Sequence, residues 1–198
     1  MEDIDFVNKY FFKILNVKKN NEREEKMKVG IIYDSITGNT KKIAEAIYEE
    51  IKNKCDVIIG DSTLDISNCD ILFIGSWTDK GNCSKKISEV YKNLKNKRII
   101  IFGTAGFGGS REYFDRLYKR IKEQIPKNNQ IENKYFYCQG KMPNTVKERY
   151  IKMIKENPKD SNLQVSLKNF EEALKHPNDE DIENAKKFAK EIIENMKI

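Results

Sequence analysis

The run Asp34-Ser35-Ile36-Thr37-Gly38-Asn39-Thr40 has the residue types of an anion-binding loop. Ser35, Thr37 and Thr40 carry hydroxyls, Asn39 carries an amide, and Gly38 lets backbone come close to a ligand. A short apolar, β-branched run (29–33) precedes the loop and an amphipathic stripe follows it. Between a strand and a helix, such a loop turns free N–H groups and the positive end of the helix dipole towards an anion. It is not a Walker-type loop, because it lacks the Gly-Lys-[Ser/Thr] step and contains no Lys or Arg. Neutral donors suit a monophosphate, whereas a triphosphate with Mg²⁺ calls for the lysine. The same residues could instead serve only to cap the helix, through Asn39 or Thr40.

Two later runs have comparable character. Gly75-Ser76-Trp77-Thr78-Asp79-Lys80-Gly81-Asn82-Cys83 holds the single Trp of the chain. A Trp in a polar, Gly-containing stretch is poorly explained as core and suits stacking on a flat ligand, with a packed loop anchor as the alternative. Gly103-Thr104-Ala105-Gly106-Phe107-Gly108-Gly109-Ser110 carries four glycines, which allow backbone to approach such a ligand closely. It is not a dinucleotide fingerprint, since Arg111 stands where the third Gly belongs. A flexible turn before the next helix is the alternative there. His176, the single histidine, precedes Pro177 and reads as a surface or capping residue. Paired carboxylates, a catalytic triad and a metal constellation do not stand out, so no catalytic or metal residue is assigned.

The elements that must position these runs follow from hydrophobic spacing. Strands are expected at 29–33, 57–59, 71–74, 99–102 and 131–138, each a near-continuous apolar run. Helical stripes occupy 41–53, 85–95, 111–124 and 182–193. This alternation predicts an α/β fold, a doubly wound five-stranded parallel sheet with helices on both faces. Ligands of such sheets sit at the carboxyl ends of the strands, so the three runs above converge on one rim. Residues 139–177 form a helical insertion before the last helix, with segments near 144–156 and 164–175. Residues 1–26 read as a helical extension and linker, with Ile4, Val7, Phe11 and Ile14 at helical spacing and an all-polar tail before Met27.

Here the sequence resembles a known family. Ser35-Ile36-Thr37-Gly38-Asn39-Thr40, between an apolar strand and an amphipathic helix, is similar at every specified position to [ST]-x-T-G-x-T, the FMN-phosphate loop of the flavodoxins. The resemblance implies FMN as cofactor, with its phosphate on Ser35, Ile36, Thr37, Gly38, Asn39 and Thr40. It implies the isoalloxazine against Ser76, Trp77, Thr78 and Gly81. Thr104, Ala105, Gly106 and Phe107 would then face the pyrimidine edge and the far side of the ring. The loop Gly75–Asn82, the segment Phe102–Gly106 and the late insertion also resemble a subgroup of the family, some members of which are found beside flavin reductases such as bilirubin reductase.

Composition narrows the functional classes. The 198 residues are 38% apolar and 34% charged, which suits one layered core rather than two. Four cysteines without a CxxC pair read as reduced and buried, consistent with a cytoplasmic protein. The acidic opening, with Lys9 and Lys13 interrupting the apolar stretch, does not read as a signal peptide, and no run reaches the length of a membrane span. The family resemblance implies a low-potential one-electron carrier serving a partner reductase. The alternative is a small FMN-dependent NAD(P)H:acceptor oxidoreductase. A regulatory module with an empty site is disfavoured by the intact first loop. Nucleic-acid binding is disfavoured because the Lys residues are scattered rather than grouped with aromatics. One property departs from the family: flavodoxins are usually strongly acidic, whereas this chain carries +6, all of it beyond residue 26. The insertion leaves the last strand on the ligand rim and is expected to shape partner docking rather than FMN binding.

Overall fold

The computed structural model describes residues 26–196. The expected N-terminal helix lies outside the described residues. The sheet is built from β1 (Lys28–Asp34), β2 (Asp56–Asp61), β3 (Ile71–Asp79) and β5 (Arg98–Ala105), with β6 (Gln130–Ile131) and β7 (Phe136–Gln139) sharing the far edge of β5. The strand order is β2-β1-β3-β5 and then β6 with β7, every pairing along it parallel. A two-residue strand, β4 (Asn82–Cys83), folds back antiparallel on the end of β3. Order reverses between β1 and β3, which opens a crevice at their carboxyl ends.

The helices are α1 (Asn39–Ile51), α2 (Lys85–Asn93), α3 (Arg111–Lys122), α4 (Asn144–Glu156), α5 (Ser161–Ala173) and α6 (Asp179–Met196). Strand side chains alternate faces, so each central strand feeds two cores. Val29, Ile31, Phe73, Ile100 and Phe102 pack under α1 and α6, against Ile43, Ile47, Phe188 and Ile192. Ile32, Leu72, Ile74, Ile99 and Ile101 pack under α2 and α3, against Ile87, Tyr91, Leu117 and Ile121. The sheet is therefore doubly wound, as the alternation of elements predicted. All four cysteines are buried and none is in a disulfide. Burial pushes the Cys83 thiol up to about 11 and raises Cys69 and Cys138 too.

Three boundaries differ from the sequence expectation. β3 runs five residues past Ile74, because β1 and β5 both pair with Gly75 and Ser76, and β5 pairs with Trp77 as well. Pairing on both sides holds polar residues in a strand that local pattern reads as loop. Gly75 is required there, since a Cβ would lie 2.1 Å from Phe102 Cζ. β5 likewise continues through Gly103, Thr104 and Ala105. The last strand is two pieces: from Ile99 to Phe102 on β5 the partner advances from Ile131 to Phe136, so two extra residues loop out. It is an edge strand, and nothing on its outer side holds a continuous register.

Candidate functional site: a cleft at the carboxyl rim

β1 ends at Asp34, and the chain turns through Gly38, at φ 82°, into α1. Gly38 is itself the N-cap and no side chain caps this helix. Neither Asn39 nor Thr40 does so, which removes the simple capping explanation of the loop. By contrast α2, α3 and α5 are capped by Ser84, Ser110 and Asp160. The first α1 backbone bond runs from Lys42 N to Gly38 O, so the N–H groups before Lys42 face the loop.

The loop side chains divide into two sets. Ser35 Oγ is buried without a hydrogen-bond partner. Thr37 Oγ1 accepts from Asn39 Nδ2 at 2.8 Å, which leaves its own O–H available as a donor. Asn39 Nδ2 also donates to Lys141 O at 2.9 Å, tying the loop to the segment after β7. Thr40 is fully buried and its hydroxyl lies 2.9 Å from Thr104 Oγ1, so these two residues share a bond across the crevice. Ile36 is 67% exposed at the rim.

β3 and β4 form the opposite wall. Their hairpin turns on Lys80 and Gly81, both at positive φ (48° and 77°), as in a type I′ turn. Arg120 Nη1 donates to Gly81 O at 2.7 Å and holds the hairpin tip against α3. Trp77 Nε1 donates to Asp34 Oδ2 at 2.9 Å, which fixes the indole across the end of β1. Lys86 Nζ lies 3.8 Å from the other oxygen of Asp34. Thr78 Oγ1 donates to Thr104 O at 3.0 Å. Ser76 does not face the cleft: its Oγ accepts from Ser84 N at 2.8 Å and donates to Trp77 O, setting the start of α2.

These walls enclose a cavity of about 400 Å³. Of the residues singled out in the sequence, Ile36, Thr37, Asn39, Trp77, Thr78, Gly81, Thr104, Gly106 and Phe107 line it. Ser35, Gly38, Thr40, Ser76 and Ala105 do not, although Ser35 and Gly38 belong to the loop that closes one end. A larger groove, of about 700 Å³, lies between α2 and the connection from β2 to β3. It meets none of the three loops after β1, β3 and β5, so we assign the ligand to the smaller cleft.

Sequence reasoning missed the third wall. Gly140, Lys141, Met142, Pro143, Val146, Arg149 and Tyr150 line the cleft from the segment that leaves β7, with Tyr113 added from α3. Met142 fills the space over Gly106, where a Cβ would meet its Cγ at 2.2 Å. Asn169 of α5 donates to Gly106 O at 2.9 Å and its Oδ1 accepts from Gln139 Nε2. The segment thus builds cleft wall with its first turn and braces the glycine-rich loop with α5, beyond the docking role expected of it. The Gly140-Lys141-Met142-Pro143 stretch, turn-forming residues on the ligand rim, was the available signal. Lys80, Lys141 and Arg149 against Asp79 leave the cleft lining cationic. His176 lies outside it, with Nδ1 2.6 Å from Asp181 Oδ2 at the start of α6. Among the described residues, no group of His, Cys, Asp and Glu is placed to hold a metal.

A flavodoxin-domain family model matches residues 30–190. The chain belongs to the flavodoxin family, and FMN is its cofactor. It is 39% identical over 171 residues to the flavodoxin-like domain-containing protein BilS of Clostridioides difficile, covering 84% of this chain and 97% of the relative. A protein of the same name from Clostridium symbiosum is 34% identical, over 79% of this chain and 90% of the relative. An archaeal flavodoxin superposes with a TM-score of 0.54 at 18% identity, over 87% of this chain and all of the other. The strand order is the one for which flavodoxin itself is the standard example.

The residues present fit the cofactor. Ser35 Oγ is a buried donor awaiting an acceptor, beside an uncapped helix N-terminus. A phosphate there meets both needs at once. Trp77, Gly106 and Phe107 line the same cleft and would offer a flat ring an aromatic face and open backbone. No helix among the described residues is long and apolar enough to cross a membrane.

Proposed function

We propose that the protein is an FMN-dependent one-electron carrier that serves a partner reductase in the cytoplasm. The observation that carries this reading is the uncapped α1 N-terminus with the unpaired Ser35 hydroxyl, set next to a cleft walled by Trp77. When bound, the flavin supplies the electron storage. The chain's own residues hold and tune it. Ser35 Oγ, Thr37 Oγ1 and the first α1 N–H groups would donate to its phosphate. Asp34 fixes the Trp77 indole by its Nε1 bond, so the ring wall is already in place. Asn169 holds the Gly106 carbonyl and so braces the loop that would meet the ring's edge. Burial keeps the nearby Cys83 thiol protonated at neutral pH, so it offers no nucleophile to a flavin.

Two measurements test this. Mass spectrometry of the released cofactor should give FMN, and FAD as the main species would overturn the phosphate assignment. A potentiometric titration should then resolve two one-electron steps. A second reading, an NAD(P)H:acceptor oxidoreductase, is favoured by the cationic lining of Lys80, Lys141 and Arg149, which suits an anionic reductant. Rapid bleaching of the flavin by NADPH would establish it over the carrier.

A further inference from the structure

Three of the sheet's crossovers carry a helix and one does not. α1 joins β1 to β2, α2 stands between β3 and β5, and α3 joins β5 to the far edge. The connection from β2 to β3, residues 62–70, has no helix. A crossover between parallel strands usually takes a dozen residues or more and lays a helix on the sheet. Here Leu64 and Ile66 alone reach from the connection to the core, both half-buried. That face of the sheet is short of cover. Val57 and Ile59 of β2 pack on the other core, so Ile58 points to this face, and it is 39% exposed. The groove of about 700 Å³ lies here, lined by Ile32 of β1, by the connection and by α2. Its α2 wall is Lys86, Glu89, Val90, Asn93 and Leu94, spaced in steps of three and four. α2 thus gives one whole side to the groove, the side against which a neighbouring helix would pack.

The chain holds one segment suited to that place. Residues 1–25 lie outside the described residues, against only 197–198 at the other end. Ile4, Val7, Phe11 and Ile14 form a helical stripe that needs an apolar surface. The chain enters β1 at Met27, whose carbonyl accepts from Asp56 N at 2.9 Å at the amino end of the sheet. The groove reaches the same end, because α2 finishes there and Leu94, Lys95 and Lys97 lead into β5. β5 is two strands from β1, about 10 Å at the usual spacing. The polar run 18–26 spans up to ~30 Å when extended, so the tether is long enough. We infer that residues 4–14 dock as a helix in this groove of their own chain, stripe inward, and supply the layer that the short crossover omits. A helix leading into β1 from that end runs antiparallel to the strands, as α2 does. The groove meets none of the ligand loops, so this docking does not depend on the carrier reading.

The test uses the full FMN-loaded chain with a nitroxide label on Lys9→Cys, which helical spacing puts opposite the stripe. The four native cysteines are buried away from the reagent. Amide NMR signals of residues 64–67 and 89–95 should broaden. A mixture of nitroxide-labelled chain with separate isotope-labelled chain should show no broadening. Broadening in that mixture would give the groove to a second copy and overturn the docking in cis. Broadening confined to another surface, or none, would overturn it too. Phe11→Asp should speed amide exchange at Leu64 and Leu94, whose N–H groups are bonded beside the groove, by roughly tenfold, the scale of losing one buried aromatic side chain. Lys9→Asp puts the same carboxylate opposite the stripe and should leave exchange unchanged. Val90→Asp should reproduce the effect from the groove side, and the double variant should add little to either single one. Phe11 lies outside the described core, so its variant and the label decide the matter even where Val90→Asp does not fold. Equal exchange in Phe11→Asp and Lys9→Asp would take the stripe out of the groove.

Discussion

Ser35 and Thr40 look alike in the loop motif, but their surroundings assign them different work. Ser35 Oγ is buried without a partner, so Ser35→Ala removes nothing the free protein uses. It should weaken FMN by about tenfold, since a charge-assisted bond is worth roughly 1.5–3 kcal/mol, while riboflavin affinity and the apo melting temperature stay unchanged. Thr37→Val should weaken FMN by about tenfold to a hundredfold with the same indifference to riboflavin. Thr40→Val should act differently. It strands the Thr104 hydroxyl in the crevice and should lower apo stability by about 1–3 kcal/mol, read by denaturant titration. A Thr40 variant that lost only phosphate affinity would place its hydroxyl on the ligand instead. Trp77→Ala should cost roughly 1–3 kcal/mol of FMN binding and raise flavin fluorescence. Trp77→Phe keeps the ring and isolates what the bond to Asp34 adds.

The elements after β7 carry the largest revision. Sequence spacing separates two helices there but does not say which surface they cover. In the structure α5 is anchored by Leu163, Phe170 and Ala173, and reaches the glycine-rich loop through Asn169. Asn169→Ala should leave the Gly106 carbonyl without that donor. FMN affinity should fall severalfold, and amide exchange should rise across residues 106–110. Replacing residues 144–173 by a short Gly/Ser linker should reduce FMN affinity by more than tenfold in a folded protein, because it deletes Val146, Arg149 and Tyr150 from the cleft. Retained affinity would return the segment to a docking role alone.

At the scale of the whole molecule, burial of acidic protons makes stability depend on alkaline pH. The Cys83 thiol, ordinarily near 9, is pushed up to about 11 by burial. A raised native value favours the folded state while both states are protonated and disfavours it once the unfolded thiol ionises. Stability should therefore be level below pH ~9 and fall as pH rises from there towards about 11. Tyr135, pushed up to about 12 by burial and by its bond to Asp115, extends the decline. Cys83→Ala should shallow the slope between pH ~9 and ~11 in chemical denaturation. An unchanged slope would show that the thiol is accessible in the native state.

The doubly wound sheet was legible because it rests on short-range information: apolar strand runs and 3.6-residue stripes are properties of neighbouring residues. The first loop was legible for the same reason, since residues 35–40 are contiguous and their types are those of an anion-binding loop. What the sequence could not reveal depended on partners distant in the chain. Strand pairing on both sides of β3 turned Gly75 and Ser76 from loop into sheet, and pairing with β5 did the same for Trp77. A bond across 64 positions took the Thr40 hydroxyl to Thr104. Another, across 102 positions, tied Asn39 to Lys141 and brought the segment after β7 into the cleft wall. Residue type and spacing set which groups could bind. Only close packing, which fills each void with the nearest side chain available, decided which of them line the cleft.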